Sequence, residues 1–332
     1  MFLGSLRFYI FRMMVALLLM VVLLMGCEIK EEEKFNIAIF ISGDGRKSKV
    51  KGFQDGLKNL GLKNVNYVFY EGNNTLGRMR ELAQELALNQ EDYDLIAVGG
   101  SLEAYMVKEA SGKLKTPVLI LGGTSILQWG LTKSLSKPTE NITGVDNLNA
   151  ELMEKRVELF VKMFPDIKRV LVFCNPQFEA SKNATRITIS AGRKFGLKVV
   201  PLNVKDIKEL EYIISNMRKD GYKAIIITPC FYTENFLTTY ILHYANFHQI
   251  PVFCPSPGLV KKGCHVAYGT SGYEQGFQAS HIAYKVLEGT PVVHVPFERA
   301  YYPRLAVNEG ALIELGVSYN REFFTYVDEV VK

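Results

Sequence analysis

The chain has 332 residues, of which 48% are apolar and 22% charged. That is enough apolar material for one large domain or two smaller ones, and it excludes general disorder. The formal net charge of +5 comes from 39 basic and 34 acidic side chains spread along the sequence. This balance is too weak and too scattered for a nucleic-acid surface.

Arg7 and Arg12 are the only charged residues among the first 26. An eleven-residue apolar run, Val15 to Met25, follows them. It is short for a membrane span and typical of an export signal. The run ends at Leu24-Met25-Gly26-Cys27, which resembles a bacterial lipoprotein processing site. Residues 1–26 therefore read as a signal peptide, Cys27 as the lipidation site and residues 27–34 as a charged, lipidated tether, with acyl chains supplying the membrane affinity. An uncleaved amino-terminal anchor is the alternative.

Phe35 to Ile41 reads as a buried strand, followed by Ser42-Gly43-Asp44-Gly45. Val50, Phe53, Leu57 and Leu60 recur at helical spacing, and Gly61 ends that helix. Asn66 to Tyr70 is the next strand. Thr75 is placed to cap a helix that carries Leu76, Met79, Leu82, Ala83 and Leu86. Leu95 to Val98 is a third strand, ending in Gly99-Gly100-Ser101, with a helix through Glu109. Val118 to Leu121 is a fourth, ending in Gly122-Gly123-Thr124-Ser125. Polar residues through Asn141 then lead to Thr143-Gly144-Val145.

The same alternation begins again. Met153, Val157, Phe160, Val161 and Phe164 form the buried stripe of a helix. Strands are predicted over Arg169 to Phe173, Lys198 to Leu202, Ala224 to Ile227 and Val252 to Cys254. Helices are predicted over Ala180 to Phe195, from Ile207 to Met217 and over Phe236 to Phe247. Ala267-Tyr268-Gly269 leads back toward the first half, followed by a helix with Tyr273 and Phe277. Strands alternating with helices imply parallel sheets. The fold class is α/β: two Rossmann-like lobes with parallel sheets joined by a multi-crossover hinge. The first lobe is read as residues 35–144 and 266–297, the second as 145–265 and 298–332.

In such sheets a ligand sits at the carboxyl ends of the strands. The loops there are rich in glycine, serine and threonine, and give Ser42, Gly43, Asp44, Gly100, Ser101, Thr124 and Ser125 as candidates. Backbone N–H groups and helix amino-terminal ends in these loops suit a carboxylate or another anion. None of the loops is a dinucleotide or P-loop motif. The five histidines form no pair on one helical face, and neither HExxH nor GxSxG occurs. No catalytic residue, metal site or cofactor is therefore expected. Cys174, Cys230, Cys254 and Cys264 lack metal-site spacing. Cys254 and Cys264 either bridge across a loop or stay free, and the sequence leaves this open.

A series of short motifs runs from about residue 35 to 320. It includes Gly130-Leu131 with Ser134-Leu135 and Pro138, Asn141-Ile142-Thr143-Gly144-Val145, Phe164-Pro165-Asp166 and Asn175-Pro176. Pro257 to Gly263, Tyr268-Gly269, Gly276, Val307-Asn308, Ala311, Leu315 and Gly316 complete it. In this series the chain resembles the substrate-binding proteins of bacterial ABC transporters, and more closely the group implicated in tryptophan and tyrosine uptake. The resemblance implies a type I periplasmic-binding-protein fold; the export signal and Cys27 place the chain at the extracytoplasmic face of a bacterial membrane, lipid-anchored, and nothing in the sequence demands more than a monomer. The resemblance also implies delivery of a small-molecule solute to an ABC permease with its ATPase. The family's site positions fall on Ser42, Gly43, Ser101, Thr124, Ser125, Asn175, Phe231, Ser256 and Tyr273. Phe178, Phe231, Tyr232 and Tyr273 are suited to stacking on a flat solute.

Two departures stand out. Ser125-Ile126 replaces the family's frequent Asp-Pro, and Ser271 replaces an acidic residue. The ammonium of an amino-acid solute then needs Asp44, Glu103, Asp146, Glu179 or Glu234. A binding module that reports to a membrane sensor is the rival reading, since its cleft would look the same.

Overall fold

The computed structural model describes Met14 and residues 34–216 and 223–331. The signal peptide, Cys27, nearly all of the tether and Met217 lie outside the described residues. In chain order the strands are β1 (Phe35–Ile41), β2 (Val65–Glu71), β3 (Leu95–Val98), β4 (Val118–Gly123), β5 (Ile142–Asp146), β6 (Arg169–Cys174) and β7 (Lys198–Asn203). Then come β8 (Ile225–Ile227), β9 (Val252–Cys254), β10 (Val266–Gly269), β11 (Glu298–Arg299), β12 (Arg304–Asn308) and β13 (Glu329–Val331). The helices are α1 (Lys47–Asn59), α2 (Leu76–Leu88), α3 (Ser101–Ser111), α4 (Met153–Met163), α5 (Glu179–Lys194), α6 (Ile207–Asn216), α7 (Thr238–Phe247), α8 (Gly272–Leu287) and α9 (Glu309–Leu315).

The strands form two sheets, one in each lobe. The first runs β11-β5-β4-β3-β1-β2, parallel throughout. The second runs β13-β12-β10-β9-β8-β6-β7, with only the β10–β12 pair antiparallel. The two-residue period of a strand explains the layers. Ile37, Ile39 and Ile41 of β1 face α1 and α8, where Phe53, Leu57 and Ile282 meet them. Ala38 and Phe40 face α2 and α3, with Met79, Leu82 and Val107. In the second lobe Val170 and Val172 of β6 pack with α4 and α5, while Leu171 and Phe173 pack with α6 and α7. With both faces covered, the central strands are apolar at successive positions.

Three readings change. β10 belongs to the second sheet, because its residues pair with Phe253 and Cys254 on one side and with β12 on the other. The chain therefore returns to the first lobe after Gly269 and not at residue 266. Glu298 and Arg299 pair with Val145 and Asp146, so β5 and β11 close the edge of the first sheet and extend it past residues 144 and 297. Thr75 stands at the start of α2, but its hydroxyl donates to Asn73 O at 3.3 Å and caps nothing.

The helices α1 and α8 meet backbone to backbone. A Cβ on Gly276 would overlap the Lys49 carbonyl oxygen, and one on Gly52 would overlap that of Tyr273. Glycine at these contacts is what lets the two helices lie so close.

Cys254 and Cys264 form a disulfide, with Cα atoms 6.5 Å apart, while Cys174 and Cys230 are free and buried. The bridge closes the loop from Pro255 to Gly263 beside the cleft. Closing a loop of this length restricts the unfolded chain by about 3 kcal/mol. The double variant Cys254→Ser/Cys264→Ser is expected to lose about that much stability in urea unfolding. Adding reductant should destabilise the native chain but leave the double variant unchanged.

Candidate functional site

The carboxyl ends of both sheets face one cavity of about 810 Å³, a volume suited to a small molecule. The lobes touch around it. Asn183 Nδ2 of α5 donates to Ser125 Oγ at 3.2 Å. Arg304 pairs with Glu274 at 2.5 Å. Phe178 and Phe231 of the second lobe pack into the apolar cluster of the first, with Ile126, Leu131 and Trp129.

The floor on the first lobe is built around two cations. Lys49 projects from α1 under the strand ends, where its ammonium donates to Gly99 O at 3.0 Å and to Gly122 O. Burial, and then the neighbouring Arg46, push its pKa down to about 7. Arg46 Nε donates to Glu103 Oε1 at 3.2 Å, and the Ser42 N–H donates to the same oxygen at 3.2 Å. Burial works to raise the Glu103 carboxyl. Arg46, the residue's own N–H and Ser42 outweigh it and hold the carboxyl below its usual range. Ser101 Oγ donates to Thr124 O at 2.8 Å and accepts from Thr124 N at 2.9 Å, tying two strand-end loops together. Ser42 Oγ, Asn74 Oδ1 and Gln275 Oε1 are buried with no hydrogen-bond partner among the described residues. Buried polar atoms usually find partners, and Asn74 and Gln275 stand on the cavity wall.

Asp44, Gly100, Ser101, Thr124, Phe178, Phe231, Ser256 and Tyr273 are on that wall. Ser42, Gly43, Ser125, Asn175 and Tyr232 are not among the lining residues. Asn175 accepts from Gln177 N at 3.0 Å and donates to Lys205 O at 3.2 Å, which holds its own loop. Tyr232 stacks on Phe236, with ring centroids 4.8 Å apart. Tyr273 is 40% exposed, and its hydroxyl donates to Asp55 at 3.1 Å, so its phenol end is held at the rim. Arg46, Lys49, Gln275 and Asn235 line the cavity and were not singled out from the sequence.

Behind the cavity, Arg156 of α4 is fully buried. It donates to Tyr268 O at 2.7 Å, to Asn149 O at 2.5 Å, to Pro255 O at 2.9 Å and to Asn149 Oδ1. Burial lowers its pKa to about 9. One side chain thus joins the first crossover, the end of β9 and β10.

Asp146 ends β5 at the same crossover, and its Oδ1 accepts from Leu148 N at 3.1 Å. Burial pushes its carboxyl up to about 6. A folded pKa above the unfolded value gives stability that is fully present below about 4 and is lost as pH rises through about 6. Asp146→Asn should therefore stabilise the chain by up to about 3 kcal/mol at pH 7 to 8. Urea unfolding should show that gain shrinking towards zero near pH 4.

Two closed α/β lobes around one cavity are a known architecture, and comparison with known proteins narrows it. The sequence profile of the family described as ABC transporter substrate binding protein matches residues 34–331. The chain belongs to that family. Its members bind substrate without transforming it, so the cleft is a binding site and not an active site. The chain serves as the extracytoplasmic solute-binding component of an ABC permease system. A "Tyrosine-binding protein" of Clostridioides difficile is 23% identical over 289 residues, covering 85% of this chain and 81% of that one. A Streptococcus pneumonia protein solved as an ABC domain in complex with L-Trp superposes with a TM-score of 0.81 at 20% identity, covering 90% of this chain and 100% of that chain. A conserved domain protein from Vibrio cholerae O1 biovar El Tor gives the same TM-score at 19% identity, with coverage of 90% and 100%. At these identities the solved structures establish the shared type I periplasmic-binding fold.

Proposed function

We propose that the chain is a lipid-anchored receptor that captures an amino acid between its lobes and hands it to an ABC permease. The observation that carries this reading is the pairing inside one cavity of a cationic, hydroxyl-rich floor at Lys49, Arg46, Ser101 and Thr124 with the aromatic wall of Phe178 and Phe231. A carboxylate fits the first and an apolar side chain the second. The relatives named for tyrosine and crystallised with tryptophan support the same solute class. Cys27 carries the anchor, on the strength of the apolar run that precedes it.

Calorimetry of residues 35–332 against the twenty amino acids, the nucleobases and small sugars tests the proposal. One amino acid should saturate a single site with a dissociation constant in the micromolar range or tighter. Saturation by a sugar or a nucleobase alone would replace the amino-acid reading.

A further inference from the structure

An amino-acid solute brings an ammonium group, and the acids around the cleft leave one partner for it. Asp44 pairs with Lys47 at 2.7 Å on the exposed rim. Glu103 is committed to Arg46. Glu179 pairs with Lys182 on the surface, Asp146 binds Leu148 N at the hinge, and of the other two acids on the cavity wall Glu274 pairs with Arg304 and Glu329 with Lys261. Glu234 remains. It sits on the wide turn Thr233–Leu237 that leads into α7, half-buried, and forms part of the cavity wall. Its carboxylate has no ion pair or hydrogen bond among the described residues. Its neighbour Asn235 comes up against Gly45, whose added Cβ would lie 2.8 Å from Asn235 Oδ1, so the second lobe meets the first beside Arg46. The charge of Glu234 reaches Arg46 and Lys49 across the cleft, and Arg156 behind it.

We infer that Glu234 and Lys49 are the two poles of a zwitterion site. The solute's carboxylate lies against Lys49 and Arg46 on the first lobe, and its ammonium lies against Glu234 on the second. Two of the three Lys49 ammonium protons are used by Gly99 O and Gly122 O, which leaves one for a carboxylate oxygen. Each pole belongs to a different lobe, so a solute that carries both charges has more contacts in the closed state than in the open one. That difference is what drives closure. A carboxylic acid without the ammonium keeps the cationic floor and the aromatic wall but loses the charged contact to the second lobe.

The inference rests on the amino-acid reading above, and its test separates the two. The full mature chain is titrated calorimetrically with the tightest-binding L-amino acid of the twenty and with its des-amino acid, which has hydrogen in place of the ammonium. The native chain is expected to prefer the amino acid by a factor on the order of 100. Glu234→Gln should erase that preference by weakening the amino acid while leaving the des-amino acid unchanged, and Glu234→Asp, which keeps the charge, should restore part of it. Equal weakening of both solutes by Glu234→Gln, unchanged amino-acid binding by that variant, or a loss in Glu234→Asp as large as in Glu234→Gln would each overturn the assignment of Glu234 while the solute class stood. No amino acid binding to the native chain would overturn the solute class, and the zwitterion site with it.

Discussion

Gly276→Val is expected to destabilise the first lobe by more than about 3 kcal/mol and to abolish solute binding. The contact of α1 with α8 is made by main chain. A side chain at residue 276 strikes the Lys49 carbonyl oxygen, and neither helix can yield without leaving the sheet. Overpacking against a backbone costs about 3 kcal/mol for alanine, and more for valine. The loss reaches the cleft because Lys49 and Gln275 flank the contact. If α8 moves outward, the Lys49 ammonium leaves Gly99 O and Gly122 O, and the cleft loses its cationic floor. Urea unfolding and calorimetry on Gly276→Ala and Gly276→Val test both halves. Gly77→Ala is the control, since a Cβ there meets nothing within 4 Å. Gly276→Ala with native stability would show that the helix contact is looser than described.

The second large effect is expected at Arg156. Its guanidinium serves four oxygen acceptors on three chain segments, and one of its nitrogens also meets Met153 Sδ at 3.1 Å. Arg156→Met fills much of the same volume and removes every donor. Each orphaned buried acceptor costs about 1–3 kcal/mol, with incomplete additivity. The burial penalty on the guanidinium itself offsets part of this. A net loss of about 3–5 kcal/mol follows, because the carbonyls belong to crossovers that cannot repack as a core side chain would. Arg156→Lys should recover little, since a single ammonium cannot span the three segments. Thermal and urea unfolding measure the loss. A change below about 1 kcal/mol in Arg156→Met would mean that water or local shifts satisfy the crossovers instead.

The parallel strands were legible because burial on both faces writes itself as continuous apolar runs. The limits predicted for β1, Phe35 to Ile41, are those observed. The edges were less legible. β11 is Glu298–Arg299, two charged residues with no strand pattern, and it exists because β5 leaves an edge to be paired. β10 reads as a strand, but which sheet it joins depends on partners distant in sequence. The glycine- and serine-rich loops mark the carboxyl ends of the first-sheet strands, where Ser101 and Thr124 stand on the cavity wall. They did not tell lining residues from their neighbours, since Asn175 and Ser42 lie in equivalent loops but are not on that wall.

Lys49 had a signal in the sequence. It stands four residues before Phe53 and eight before Leu57, on the buried stripe of α1, where a lysine needs an explanation. Arg156 likewise lies between Met153 and Val157 in an apolar helix face. A cation on a buried stripe needs buried acceptors, and the spacing that identified each helix also displayed it. What those cations bind could not be read from the chain, because Gly99 O, Gly122 O and Tyr268 O are main-chain groups without a sequence signature.

All of this turns on one solute being enclosed between the two sheets. The direct measurement is a crystal structure grown with whichever solute saturates the chain in calorimetry. Density for one molecule is expected between Lys49 and Thr124 on one side and Phe231 and Glu234 on the other, within the cavity. Density confined to an outer surface, or a filled cavity whose occupant touches one lobe alone, would contradict it.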